Sequence, residues 1–131
     1  MKYRILLTLL FGLLVSFSGY VAAEGEGSLE ENAENLEKAI GLTEGAIELA
    51  KQGDAKATSK AINETIEVLK HIVSFTWSRK IDGAGEKLRL GDYISKRIMK
   101  GKPKATDNME KVVSYLEDAR ERLKVVQTIK P

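Results

Sequence analysis

Hydrophobic and small residues recur at alternating spacings of four and three positions along most of the chain from Leu29 onward. This heptad pattern places apolar side chains on one face of a helix. The first run comprises Leu29, Ala33, Leu36, Ile40, Thr43, Ile47 and Ala50. The last run comprises Ala105, Met109, Val112, Leu116, Ala119, Leu123 and Val126. Each run predicts an amphipathic helix with one buried face.

Two more runs lie between these helices. The second comprises Thr58, Ile62, Thr65, Ile66, Leu69, Val73 and Thr76. We expect Phe75 and Trp77 to close its helix. The third, weaker run comprises Leu88, Gly91, Ile94 and Ile98. Glycine-containing segments at 53–54, 81–85 and 101–103 interrupt the pattern, and glycine favours helix ends. Asp54 is a suitable N-cap for the second helix.

An internal repeat relates the two halves of this region. Residues 53–58 align with residues 101–106 at an offset of 48 positions. The repeat predicts two tandem helical hairpins, at about 29–78 and about 84–127. Short turns make consecutive helices antiparallel. The predicted fold class is therefore all-α, an antiparallel up-down four-helix bundle that forms a single domain over residues 24–131.

Residues 1–23 have the pattern of a secretory signal peptide. Lys2 and Arg4 precede an uncharged stretch of 19 residues, from Ile5 to Ala23, that ends in small side chains. We predict cleavage after Ala23 and a periplasmic or secreted protein with no stable membrane insertion after cleavage. An uncleaved anchor is the alternative, because about 20 apolar residues span a bilayer.

Charge is unevenly distributed along the predicted processed chain. Cleavage removes two basic residues and leaves 19 basic and 19 acidic ones, so we expect no nucleic-acid binding. Residues 24–50 contain eight acidic residues and one lysine, whereas residues 79–104 contain nine basic and three acidic residues. One interpretation is that the first and third helices carry complementary solvated flanks that fix the bundle topology. The other is a patch on the third helix for an anion, a lipid headgroup or an acidic partner.

The composition excludes several kinds of active site. The chain has no cysteine, which excludes a disulfide framework, a thiolate nucleophile and a cysteine-ligated metal centre. It has one histidine, which excludes a three-histidine site within one subunit. Serine, threonine, lysine and carboxylate side chains are present, but none belongs to a recognisable catalytic motif. We therefore predict no catalytic residues and no enzymatic activity.

The sequence EKAIGLTEGAIELAKQGDAKATSKAINETIEVLKHI at 37–72, with its loose repeat at 86–119, resembles the small metal-binding protein (SmbP-like) family. The matching features are the signal peptide, the run from Ala46 to Ala55, and the paired hairpins. The resemblance implies a short exported helical protein that binds copper, nickel and related divalent ions through repeated histidines. At the positions expected for those histidines the chain has Leu49, Asp54, Ala61, Val68, Lys102, Met109 and Leu116. Alkyl groups offer a metal ion no lone pair.

One other candidate metal site lies on the second predicted helix. Glu64, Glu67 and His71 are spaced at i, i+3 and i+7, so they share one short stripe. Their carboxylate and imidazole groups suit copper, nickel or zinc. The stripe lies opposite the hydrophobic run, so a solvated helix face is the alternative interpretation.

Two functional hypotheses follow. In the first, the protein is an exported small helical-bundle protein that binds or sequesters divalent metal ions. In the second, it is a non-catalytic structural or interaction protein without a specific metal site, and its charged faces contact another protein of the cell envelope.

Overall fold

A computed structural model of the protein describes residues 29–130. Within this range the chain forms four helices, namely α1 (Leu29–Lys51), α2 (Ala55–Lys70), α3 (Phe75–Met99) and α4 (Met109–Gln127). The described residues contain no strand, and the helices pack together, so the predicted all-α four-helix bundle is confirmed. The predicted signal peptide, residues 1–23, lies outside the described residues.

Each helix of the bundle has two main neighbours. α1 packs against α2 and α4, and α3 packs against the same two helices, so α1 and α3 lie diagonally opposite each other. Successive contacts between α3 and α4 run in opposite directions along the two helices, since a later position on α3 meets an earlier one on α4. Lys87 Nζ lies 3.7 Å from Asp118 Oδ2, and a Cβ atom added at Gly91 would lie 3.7 Å from Val112 Cγ1. These contacts are those of antiparallel neighbours.

The core is formed by the heptad positions that the sequence indicates. Five residues of the predicted run in α4 are completely buried, namely Val112, Leu116, Ala119, Leu123 and Val126. Leu36 and Ile47 from α1, Ile62 from α2 and Leu88 from α3 pack with them in one cluster. Full burial of a leucine or isoleucine side chain stabilises the fold by roughly 1.5–3 kcal/mol, so this seam is the main source of stability.

The start of α1 departs from the predicted hydrophobic run. Leu29 and Ala33 are exposed, whereas Asn32 and Asn35 are buried. The Asn32 side chain forms two hydrogen bonds with the backbone of Val73, donating from Nδ2 to the carbonyl oxygen at 2.9 Å and accepting at Oδ1 from the amide at 3.2 Å. An amide side chain therefore replaces a hydrophobic one where α1 is joined to the α2–α3 loop.

The boundary between α2 and α3 lies earlier than predicted. α2 ends at Lys70, and α3 begins at Phe75 and continues without a break through residues 81–85. Ser74 caps α3, because its side chain accepts a hydrogen bond from the Trp77 amide. The prediction that Phe75 and Trp77 close the second helix is therefore wrong, as is the break predicted at 81–85.

A heptad run that spans the glycines explains this continuity. The buried positions of α3 include Trp77, Ile81, Ala84, Leu88, Gly91 and Ser95, which keep the alternating spacing of four and three. Trp77 is 3% exposed, and its Nε1 donates to the Ile129 carbonyl at 3.0 Å. Phe75, by contrast, is 93% exposed. The gain from packing this face outweighs the cost of about 1 kcal/mol that each glycine adds inside a helix.

The other two connections contain the predicted glycines. Gly53 and Gly101 have φ angles of 79° and 69°, a left-handed conformation that favours glycine, and each follows the end of a helix. Asp54 caps α2 as predicted, since its Oδ1 accepts from the Ala57 amide at 3.0 Å. α4 begins at Met109 after an Asn108 cap, a few residues later than the predicted run. Among the described helices, none is long and apolar enough to cross a membrane.

Candidate functional site

The three predicted metal ligands lie on the outer surface of α2 and just beyond its end. Glu64, Glu67 and His71 are all exposed. Glu67 Oε1 accepts a hydrogen bond from Lys70 Nζ at 3.1 Å, and His71 occupies the C-cap position. Within residues 29–130, no three histidine or acidic side chains are grouped closely enough to hold a metal ion. The structure therefore places the predicted stripe in solvent and does not assemble it into a closed site.

A buried polar cluster joins α2 to α3. Asp92, whose side chain is 11% exposed, accepts hydrogen bonds at Oδ1 from Ser59 Oγ at 2.5 Å and from Asn63 Nδ2 at 3.3 Å. Its Oδ2 lies 2.8 Å from the ammonium group of Lys96. Both carboxylate oxygens of Asp92 have partners within the protein, which is the arrangement of a structural contact between helices. The heptad pattern did not indicate it, because Ser59 and Asp92 lie beside the predicted hydrophobic runs.

A second ion pair fastens the loop between α3 and α4. Arg97 Nη2 lies 2.7 Å from Asp107 Oδ1, and the Asp107 carboxylate is 2% exposed. The backbone amide of Lys104 also donates to this carboxylate, at 2.8 Å. The Lys104 amide, together with the Arg97 guanidinium, holds the pKa of Asp107 below its usual value. Arg97 also stacks on Tyr93, with 4.2 Å between the guanidinium carbon and the ring centroid.

These contacts change the interpretation of the basic third helix. Lys96 is paired with Asp92, and Arg97 with Asp107, so both cations are already used inside the molecule. Lys100 is exposed and forms no ion pair with a described carboxylate. At this end of α3 the basic surface available to a partner therefore begins at Lys100 and continues into the loop that follows, whereas Arg79, Lys80 and Arg89 are exposed nearer the start and middle of the helix.

The fold brings lysines from both hairpins to one end of the bundle. The Ser59–Asp92 hydrogen bond joins the beginning of α2 to the last third of α3, which places the α1–α2 turn and the α3–α4 loop at the same end. The lysine-rich end is defined here by its exposed members, Lys51, Lys56, Lys100, Lys102 and Lys104. None of the five forms an ion pair with a described carboxylate, so all five ammonium groups face solvent.

The outward side of α1 has the opposite charge. The acidic face is defined here by five exposed glutamates, Glu30, Glu34, Glu37, Glu44 and Glu48. Their heptad-related spacing places them along one side of the helix over ~27 Å, at 1.5 Å per residue. Gly41 and Gly45 lie on the same side, and a Cβ atom at either would meet nothing within 4 Å. No described side chain forms an ion pair with these five carboxylates.

The predicted pairing of charged flanks between the first and third helices is wrong. α1 and α3 are diagonal in the bundle, and the ion pairs between described side chains lie in α2, α3, α4 and the α3–α4 loop. Sequence charge counts could not indicate which helices become neighbours. Comparison of the chain with protein-family models, with curated proteins and with solved structures found no match.

Proposed function

We propose that the protein is an exported, non-catalytic interaction protein of the cell envelope. The observation that carries this proposal is the separation of two charged surfaces, the lysine-rich end and the acidic face. Neither surface is used by an ion pair within residues 29–130, whereas Lys96 and Arg97 are held by buried carboxylates. Exposed charge of one sign attracts a partner of the opposite sign and steers its approach.

The lysine-rich end favours a partner with an acidic surface. Lys51 and Lys56 flank the α1–α2 turn, whereas Lys100, Lys102 and Lys104 follow α3. The fold brings both groups to the same end of the bundle, although they are up to 53 positions apart in the sequence. The Asp92 and Asp107 contacts anchor α3 and the α3–α4 loop beneath this patch. The protein therefore presents its lysines on a defined scaffold.

The test compares two triple variants of the chain from Glu24 onward as immobilised bait for envelope proteins of the exporting cell. One variant carries Lys100→Gln, Lys102→Gln and Lys104→Gln. The matched control carries the same change at exposed lysines of the opposite end, Lys80, Lys124 and Lys130. We expect the first variant to lose a partner that wild type and control retain. Equal recovery by all three proteins would contradict the role of the lysine-rich end.

A second candidate function is divalent-metal binding on α2. Glu67 and His71 are one helical turn apart and both exposed, so their carboxylate and imidazole groups are accessible to one ion. Calorimetric titration with Cu(II), Ni(II) and Zn(II) tests this, with His71→Ala as the variant. Binding tighter than ~10 μM that the variant loses would support a site at His71. Weaker binding, or equal binding by the variant, would exclude it.

A further inference from the structure

We propose that the lysine-rich end of one molecule docks on the acidic face of α1 in a second copy of the chain. This inference rests on the proposed function and names the partner. The lysine-rich end requires a surface with several carboxylates that are free of internal partners. The chain itself supplies such a surface on α1.

The two surfaces are complementary in charge and in number. The lysine-rich end carries five exposed ammonium groups, and the acidic face carries five exposed carboxylates. The predicted processed chain has 19 basic and 19 acidic residues, so no net charge opposes the approach of two copies. Attraction between opposite patches is therefore the leading long-range force between two molecules.

The acidic face also has room for an incoming loop. α1 packs against α2 and α4 on its inner side, and its outward side has no packed neighbour among residues 29–130. Gly41 and Gly45 leave the middle of this side without side chains, since a Cβ atom at either position would have open space around it. A lysine stem can therefore lie along the helix surface while its ammonium group reaches a glutamate.

No described ion pair joins the two surfaces within one molecule, although Glu48 lies one turn before Lys51 on α1. The glutamates lie along the side of the bundle, on the outward side of α1, whereas Lys100, Lys102 and Lys104 lie on the end loop that follows α3, the helix diagonal to α1. A contact of these three lysines with the middle of the acidic face must therefore form between copies. If the lysine-rich end of each of two copies docks on the acidic face of the other, they form a closed dimer. If each copy docks only on the next one, they form a longer array.

Sedimentation velocity of the chain from Glu24 onward tests the proposal at low and high salt. The hydrophobic cluster lies wholly within residues 36–126, so this chain retains the complete described core. We expect association at ~20 mM NaCl and an association constant at least ~10-fold lower at ~300 mM, because salt screens exposed charges. A monomer at both salt concentrations would overturn the proposal.

Charge reversal identifies the surfaces. One variant carries Lys100→Glu, Lys102→Glu and Lys104→Glu, and a second carries Glu34→Lys, Glu37→Lys and Glu44→Lys. Each variant alone should remain monomeric, and their mixture should associate, because every docking contact between them joins opposite charges. Failure of the mixture to associate would overturn the proposal.

A third variant separates a local contact from general attraction. It carries Lys80→Glu, Lys124→Glu and Lys130→Glu, which gives the same net charge on the opposite end of the bundle. Its added negative charge opposes association to the same extent, so it should retain more self-association than the variant at Lys100, Lys102 and Lys104, and equal loss would overturn the proposal. If self-association fails while an envelope partner still requires Lys100, Lys102 and Lys104, the second-copy inference fails and the proposed function stands.

Discussion

Removal of the buried carboxylate of Asp92 should destabilise the bundle by about 2–3 kcal/mol. The estimate comes from its two kinds of partner. Ser59 is 6% exposed and donates to Asp92 at 2.5 Å, and a buried hydrogen bond to a charged group contributes about 1.5–3 kcal/mol. Lys96 is 49% exposed, so its ion pair with Asp92 contributes about 0.2–1 kcal/mol and the freed ammonium group can turn to water.

The assay is urea denaturation followed by far-ultraviolet circular dichroism for Asp92→Ala, Ser59→Ala and the double variant. Ser59→Ala should cost about 1–2 kcal/mol, and the two changes together should cost less than their sum by about 1–2 kcal/mol. Lys96→Met is the matched control and should cost less than about 1 kcal/mol. A coupling energy below about 0.3 kcal/mol, or a loss from Lys96→Met equal to that from Ser59→Ala, would refute the reasoning.

Three further predictions use the same unfolding assay. Gly41→Ala and Gly45→Ala should each stabilise the protein by up to about 1 kcal/mol, because alanine favours the helix and an added Cβ meets no neighbour; loss of stability would reveal an unseen contact. Leu116→Ala should cost about 2–5 kcal/mol, because Leu116 is completely buried, and a loss below about 1 kcal/mol would contradict that burial. The pKa of Asp107 is lowered, chiefly by the hydrogen bond from the Lys104 amide, so its stabilisation should be present above about pH 4 and disappear as the pH falls through the lower folded-state pKa. Asp107→Asn should remove this part of the acid dependence, and an unchanged profile would contradict the assignment.

The heptad pattern alone was sufficient to predict the fold class and most of the core. The buried residues of α4 follow the predicted run from Val112 to Val126 without exception. A helix that packs on one side buries residues at the helical spacing, so the hydrophobic positions in the sequence show which side is buried. The positive φ angles of Gly53 and Gly101 likewise follow from residues that punctuate the sequence. The buried face of α4 and the two glycine turns can therefore be predicted from local sequence without tertiary information.

The α2–α3 boundary required tertiary information. Glycines at 83 and 85 indicated a helix break, but packing of Ile81 and Ala84 against the other helices keeps the chain helical there. Val73 belongs to the predicted second run and Phe75 was expected to close its helix, yet both are exposed. Two polar side chains decide the boundary, Ser74 by capping α3 and Asn32 by binding the backbone of Val73. Neither role has a periodic signature in the sequence.

The candidate surfaces depend on topology in the same way. A charge count assigned the basic region to the third helix, and only the fold separates the cations that are paired internally from those that remain exposed. Lys96 and Arg97 belong to the first group and Lys100 to the second, although all three lie within about one helical turn of each other. Convergence of the lysines beside the α1–α2 turn with those after α3 depends on the direction of the helices, which residue spacing alone does not encode.

The position of the lysines at helix ends also makes the binding tests interpretable. Lys51 lies in the last turn of α1, and Lys100 caps the C-terminus of α3. A cation near a helix C-terminus stabilises it by about 0.3–1 kcal/mol, so neutralising Lys100 costs at most about 1 kcal/mol. That cost is small beside the 5–15 kcal/mol typical of a folded domain, and Lys102 and Lys104 lie outside the helices. The triple glutamine variant should therefore remain folded, and any loss of partner or self-association that it shows would come from the missing charges.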